Sequence, residues 1–212
     1  MPNYFTRIED IPATWRGRLF VTFGRWVIRR AAWKPYFHLR NVDGTAYMDR
    51  YWLVRIGRDG VDEHGQPKPW ISLRVHHIRS SDIGRHFHDH PWTFVSLVLF
   101  GGYHEDKPYD AESGFTVSRL RNCPSGVVYT RETYIAGEFL LRRASDWHRL
   151  RLPDQLVDAG TWTLVLTLPK RPESWGFLVD GKKVPWREYF SARKFADAVA
   201  RVRIYGKQRA GA

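Results

Sequence analysis

From residue 46 to residue 168 the apolar positions come in short runs separated by turn residues. AYMDRYWLVRI (46–56) reads as a strand, followed by turn residues in GRDG and GQPKP. WISLRVHHI (70–78) alternates before SSDIG breaks it, and WTFVSLVLF (92–100) is apolar at consecutive positions until Gly101-Gly102. GFTVSRL (114–120), GVVYT (126–130), GEFLLRR (137–143), HRLRL (148–152) and TWTLVLTL (161–168) follow, each bounded by Gly, Pro, Asp, Ser or Asn. Many short strands with turns between them predict an antiparallel sandwich or barrel, not an alternation of strands and helices.

The two ends are patterned differently. In residues 12–33, Trp15, Leu19, Phe23, Trp26 and Val27 recur at spacings of three or four with arginines between them. This stripe is expected to pack on the body of the domain; a membrane-surface helix is the alternative. Residues 184–205 are rich in helix formers after Pro185, with Phe190, Phe195 and Val199 as an apolar stripe. The expected organisation is one domain over 1–212. It comprises a basic helical extension (1–45), a β-barrel core (46–180) and a C-terminal helix (184–205).

Composition narrows the class. With 212 residues, 43% hydrophobic and 26% charged, the chain is ordinary globular material. The single cysteine, Cys123 in a turn-like NCPSG, excludes an internal disulfide framework and a cysteine-based zinc site. No apolar run reaches the roughly 20 residues a membrane span needs. The opening MPNYFTRIEDIPATW has early acids and no apolar core, so a cytoplasmic protein is expected.

The net charge of +12 is concentrated at the ends. Residues 1–40 carry eight basic and two acidic side chains, residues 182–212 nine and two, and the stretch between them 17 and 18. Solvated helix faces account for such ends. So does weak, sequence-independent, salt-sensitive contact with nucleic acid, since no base-reading motif is present.

The histidines are clustered. His86, His88 and His90 alternate in HFHDH, so on a strand they share one face, just ahead of the apolar run 92–100. Neutral imidazole suits divalent first-row metals. A further ligand must come from elsewhere, and His148 is the candidate. It opens HRLRL on the side of Leu150 and Leu152, with Arg149 and Arg151 opposite.

These spacings resemble the two motifs of the cupin superfamily. His88-Asp89-His90, Phe94 and Gly101 fall where the first motif has its His pair, Glu and Gly. Gly137, Arg143, Ser145 and His148 fall where the second has Gly, Pro, Gly and His. The likeness covers residues 70–168. More narrowly, HDHPWTFVSLVLFGGYHE, WTLVLTLPKRPESWGF and VPWREY resemble uncharacterised cupin-like proteins of bacteria and bacteriophages.

The resemblance implies an all-β antiparallel jelly roll and a metal held by His88, His90 and His148. Because Phe94 replaces the family's Glu, the set is similar to the three-His site of thiol dioxygenases. That implies a non-haem Fe(II) dioxygenase on a small polar substrate, with Zn, Ni or Mn as other metals. His86 is an alternative ligand to His88. Glu105, sharing a face with Tyr103 on the next strand, is a candidate fourth ligand or general base, with a solvated charge or a hydrogen-bond partner behind a ligand histidine as the alternatives, and Tyr103 is a second catalytic candidate. Arg74 and His76 share a face that would line the pocket mouth. Of Arg142 and Arg143 only one can face inward, and Arg143 is the candidate for gripping an anionic substrate.

Other readings remain at this point. His104 and Asp106 with His148 form a 2-His-1-carboxylate pattern, which Arg149 and Arg151 would serve as co-substrate grips. A metal-free epimerase-like site would need a His base and a Tyr acid, Tyr103 or Tyr129. A non-enzymatic binding or sensor module would use the basic ends to dock nucleic acid or a partner. A homodimer is compatible with each.

Overall fold

The computed structural model describes residues 14–40, 44–57, 60, 69–82, 86–109, 120–122, 128–156, 158–171 and 173–192. Residues 114–119 of the strand expected over 114–120, the turn around Cys123 and the C-terminal helix beyond Ala192 lie outside them.

Helix α1 (Trp15–Ala32) begins at Thr14, whose hydroxyl accepts the Gly17 N–H at 3.2 Å. Arg29 and Arg30 in its last turn complement the helix dipole. The helix leads into β1 (Pro35–Arg40), so the segment 1–45 is not helical throughout. β1 pairs antiparallel with β2 (Ala46–Ile56) and extends the sheet by one edge strand.

The rest is strand: β3 (Ile71–Ile78), β4 (Phe87–His88), β5 (Trp92–Phe100), β6 (Gly102–Pro108), β7 (Leu120–Asn122), β8 (Val128–Ile135), β9 (Phe139–Arg142), β10 (Arg149–Arg151) and β11 (Thr161–Lys170). β12 (Gly176–Val179) and β13 (Lys182–Pro185) form a closing hairpin before α2 (Trp186–Ala192). The C-terminal helix therefore starts after Pro185 instead of at Val184.

The pairing is nested. β3 pairs with β11, His88 of β4 forms an isolated bridge with His148 just ahead of β10, β5 pairs with β9, and β6 with β8, all antiparallel. Cross-pairs β11–β5 and β10–β6 roll this ribbon into two facing layers. That connectivity is a jelly roll. One layer runs β1-β2-β3-β11-β5-β9, and the other β10-β6-β8-β7.

Alternation sorts the side chains. Met48, Ile78, Phe94, Val98, Tyr103, Leu140 and Val165 pack inside the roll. Val75, Leu97, Leu99 and Phe100 face outward from the first layer and are covered by Val27 and Ala31 of α1.

Of the apolar stripe expected to bury α1, Val27 alone is buried. Trp15, Leu19, Phe23 and Trp26 are 66%, 60%, 41% and 58% exposed, while Gly24, Val27 and Ala31 are buried. The reason is steric. A Cβ on Gly24 would stand 2.7 Å from the Phe100 ring, so the small-residue face lets the helix close on the sheet. No helix among the described residues is long and apolar enough to cross a membrane.

Candidate metal centre

His88 and His148 meet because they form that isolated bridge. His88 N–H donates to His148 O at 2.9 Å, and His148 N–H to His88 O at 3.0 Å. Directly opposed antiparallel residues project their side chains to the same face. His90 is brought in from the link between β4 and β5, where its N–H donates to Ala144 O at 3.1 Å. Asp89 between them turns away and is buried. Its carboxylate accepts the Gly176 N–H and Lys183 Nζ, each at 2.7 Å, and Arg171. That anchor leaves His88 and His90 both facing the interior.

The three rings lie 4.6 Å (His88–His148), 4.7 Å (His90–His148) and 5.1 Å (His88–His90) apart. One ligand atom of each falls within 4.8 Å of the others, the single such group among the described residues. Nε2 of His90 and Nε2 of His148 face each other at 2.5 Å. Which of the two donates and which accepts depends on the tautomer of each ring. Burial pushes His88 and His148 down to about 4 and His90 well below its ordinary value. All three are therefore neutral near pH 7, with lone pairs free for a metal.

Glu105 sits behind this cluster. It is fully buried, and its Oε1 lies 2.5 Å from His148 Nδ1, the nitrogen pointing away from His90. Arg142 holds the same carboxylate through Nε at 2.7 Å and through Nη2, which also donates to the Tyr134 hydroxyl at 2.7 Å. A carboxylate on Nδ1–H fixes the tautomer that leaves Nε2 as the ligand atom. The donor set thus fits a divalent transition metal. His88, His90 and His148 would hold it, with Glu105 orienting His148.

The structure separates the other candidates. His86 lies ahead of β4, which is only two residues long, so the alternation that would align it with His88 fails. It turns instead to α2, where Nδ1 lies 3.0 Å from the Tyr189 hydroxyl. Tyr103 is buried in the inner core, and its hydroxyl bonds Ser96. Arg143 is exposed on the turn after β9, so it does not line the interior. Alternation along β9 brings Arg142 inward instead.

His104 and Asp106 share the opposite face of β6 from Glu105. Asp106 is locked by Arg131 at 2.6 Å and Arg149 at 2.8 Å, and His104 Nδ1 lies beside Thr133 at 2.9 Å. The 2-His-1-carboxylate grouping with His148 is therefore not assembled, and Arg149 serves Asp106. Tyr129 also lies on that outer face, packed on Phe87. Arg74 and His76 face the interior from β3 in line with Ile78. Asp82 was not singled out by the sequence reading. It lies 3.6 Å from His88 Nδ1 and accepts the Leu150 N–H at 2.7 Å, and in the sequence only its acid character offered a signal.

No protein-family model matches the chain, and no curated protein sequence does. Among solved structures it is similar to the DMSP lyase DddQ from Ruegeria pomeroyi DSS-3, at 14% identity and TM-score 0.38 over 82% of each chain. It is also similar to a cupin-2 domain from Rhodospirillum rubrum, at 12% identity and TM-score 0.37 over 72% of this chain and 76% of that one. A third likeness is to Fe(II) HppE, at 12% identity and TM-score 0.37, over 62% of this chain. The chain spans about half of that HppE chain (55%) and of one in a structure of the DMSP lyases RdDddP and RnDddQII (51%). At these TM-scores the likenesses decide nothing about chemistry, which rests on the chain's own residues.

Proposed function

We propose that the protein is a metal-dependent enzyme, a non-haem Fe(II) dioxygenase acting on a small polar substrate. The supporting observation is the convergence of three neutral imidazoles, His88, His90 and His148, inside a jelly roll. Fe(II), when bound, supplies Lewis-acid and redox chemistry; Zn, Ni and Mn are the other metals this donor set accepts. His148 presents Nε2 because Glu105 accepts the Nδ1 proton, and Arg142 and Tyr134 keep Glu105 in place. Phe94, edge-on to His90 at 5.0 Å, excludes water from one side of the cluster.

The test is elemental analysis of protein purified without a His tag, alongside His90→Ala and His148→Ala. One transition metal per chain, lost in both variants, is the expected result. Full occupancy in both variants while they remain folded would overturn the ligand assignment.

The second reading, a non-enzymatic module that touches nucleic acid, draws on α1, which carries five arginines and no acid. If the basic helix is only an accessory of the enzyme, DNA or RNA binding collapses between about 50 and 200 mM salt and ignores chelators. Sequence-selective binding that survives the higher salt without bound metal would place this reading ahead of the enzyme.

A further inference from the structure

Three arginines are buried among the described residues: Arg74, Arg142 and Arg149. Two have a buried carboxylate partner, Arg142 with Glu105 and Arg149 with Asp106. Arg74, only 6% exposed, has none among the described residues. Its Nε donates to the Ser72 hydroxyl at 2.7 Å and its Nη1 to the Tyr36 hydroxyl at 3.2 Å. A guanidinium taken out of water without a counter-charge is a standing cost that folding alone does not explain.

The surroundings do not offset it with charge. The guanidinium carbon lies 4.6 Å from the Trp52 ring and 4.5 Å from the Trp92 ring. Aromatic contact lowers the cost by about 1–2 kcal/mol per ring at most. The neighbouring cross-strand pair adds another cation: Trp52 stands opposite Arg74 and Arg50 opposite His76 on β2 and β3. His76 Nε2 is sealed from solvent and has no hydrogen-bond partner. Arg74 Nη2 has no partner either, and it is not sealed. A sealed polar atom such as His76 Nε2 ordinarily marks the place of a missing partner, and Arg74 Nη2, two residues along the same face, is left open to one.

This wall is continuous with the histidine cluster. Trp92 follows His90 by two residues, and Phe94, two further along the same face, packs on the His90 ring. Trp92 itself packs against the inner core that contains Phe94.

We propose that Arg74 is the anchor for a carboxylate of the substrate, which makes the substrate a small organic acid. The substrate part rests on the enzyme reading above; the anion site does not. The guanidinium lies over both indole rings and its Nη2 stays open, so a ligand approaches at the Nη edge. A planar carboxylate suits that edge better than a tetrahedral anion does. Nη2 and Nη1 donate to the carboxylate oxygens, and the rest of the molecule runs along Trp92 and Phe94 toward His90. The charged group thus sets the distance of the reacting carbon from the histidines.

The experiment is a fluorescence and calorimetric titration of the full chain, as purified and after chelation. The probes are propanoate, its neutral isostere propanamide, and inorganic phosphate. Trp52 and Trp92 report occupancy because they contact Arg74. Propanoate is expected to bind both forms, propanamide at least about tenfold more weakly. Arg74→Met should lose propanoate by a similar factor while keeping its thermal midpoint and metal content. Arg74→Lys, which keeps the charge and loses the fork, should fall between.

Equal binding of propanoate and propanamide, unchanged binding in Arg74→Met, tighter binding of phosphate, or no binding up to about 50 mM each overturn the proposal. A protein that binds propanoate through Arg74 but holds no metal would refute the enzyme reading and leave the anion site standing. Metal without an Arg74-dependent anion site would do the reverse.

Discussion

Glu105 touches His148 on the nitrogen that faces away from His90, and Arg142 takes up both of its oxygens. That placement suits positioning of His148, and Glu105→Gln is expected still to bind metal. The expected loss is about 10–100-fold in metal affinity, the usual effect of removing a partner behind a ligand histidine. Stability should also fall by a few kcal/mol, because a buried guanidinium loses its counter-charge. Competition titration with a chromophoric chelator and urea unfolding measure the two separately. Unchanged affinity would remove the positioning role, and complete loss in a folded variant would make Glu105 a direct ligand. At this scale the sequence is informative where alternation holds. Glu105 with Tyr103 on β6, and His148 with Leu150 of β10, can be placed from the period of two. It is silent where a side chain is held by a distant backbone group, as Asp89 is by Gly176.

Secondary structure was legible to the residue where apolar runs end in glycine or acid, as β2 and β5 show. It was not legible for β1, β12 and β13, whose mixed composition takes strand form through pairing with distant partners. Helix α1 shows a different failure. Its period was visible, but of the stripe it picks out Val27 alone is buried, because hydrophobicity favoured the larger side chains. Close packing favoured the small ones, because Gly24 admits the Phe100 ring. The reversal has a measurable consequence. Val27→Ala, at a site only 1% exposed, should cost about 2 kcal/mol. Trp26→Gln, one residue earlier and 58% exposed, should stay within about 0.5 kcal/mol. Urea midpoints of the two variants decide it, and a larger loss for Trp26→Gln would mean that the aromatic stripe is covered.

For the whole molecule, the strand-rich pattern pointed to an antiparallel roll, but nested pairing is a long-range property that no local window contains. His88 and His148 are 60 positions apart, and only the isolated bridge between them makes them neighbours. The interior so formed collects histidines that burial keeps neutral: His76, His88, His90 and His148 all have folded values below the ordinary 6.5, with His88 and His148 at about 4. In the unfolded chain the same imidazoles take up protons near 6.5. The unfolded state therefore binds more protons between about pH 6.5 and 4, and stability must fall as pH drops through that window. Each unit of difference is worth about 1.4 kcal/mol, so His88 and His148 together contribute several kcal/mol at neutral pH. Most of that should vanish before carboxylates protonate. Urea unfolding of chelator-treated protein at about pH 7, 6 and 5 measures it, and added metal, which binds imidazoles already neutral in the folded state, should raise stability at each of these pH values without flattening the slope. A profile that is flat without metal would mean that these imidazoles accept protons in the folded state, and the site would then be too open to water to hold them neutral.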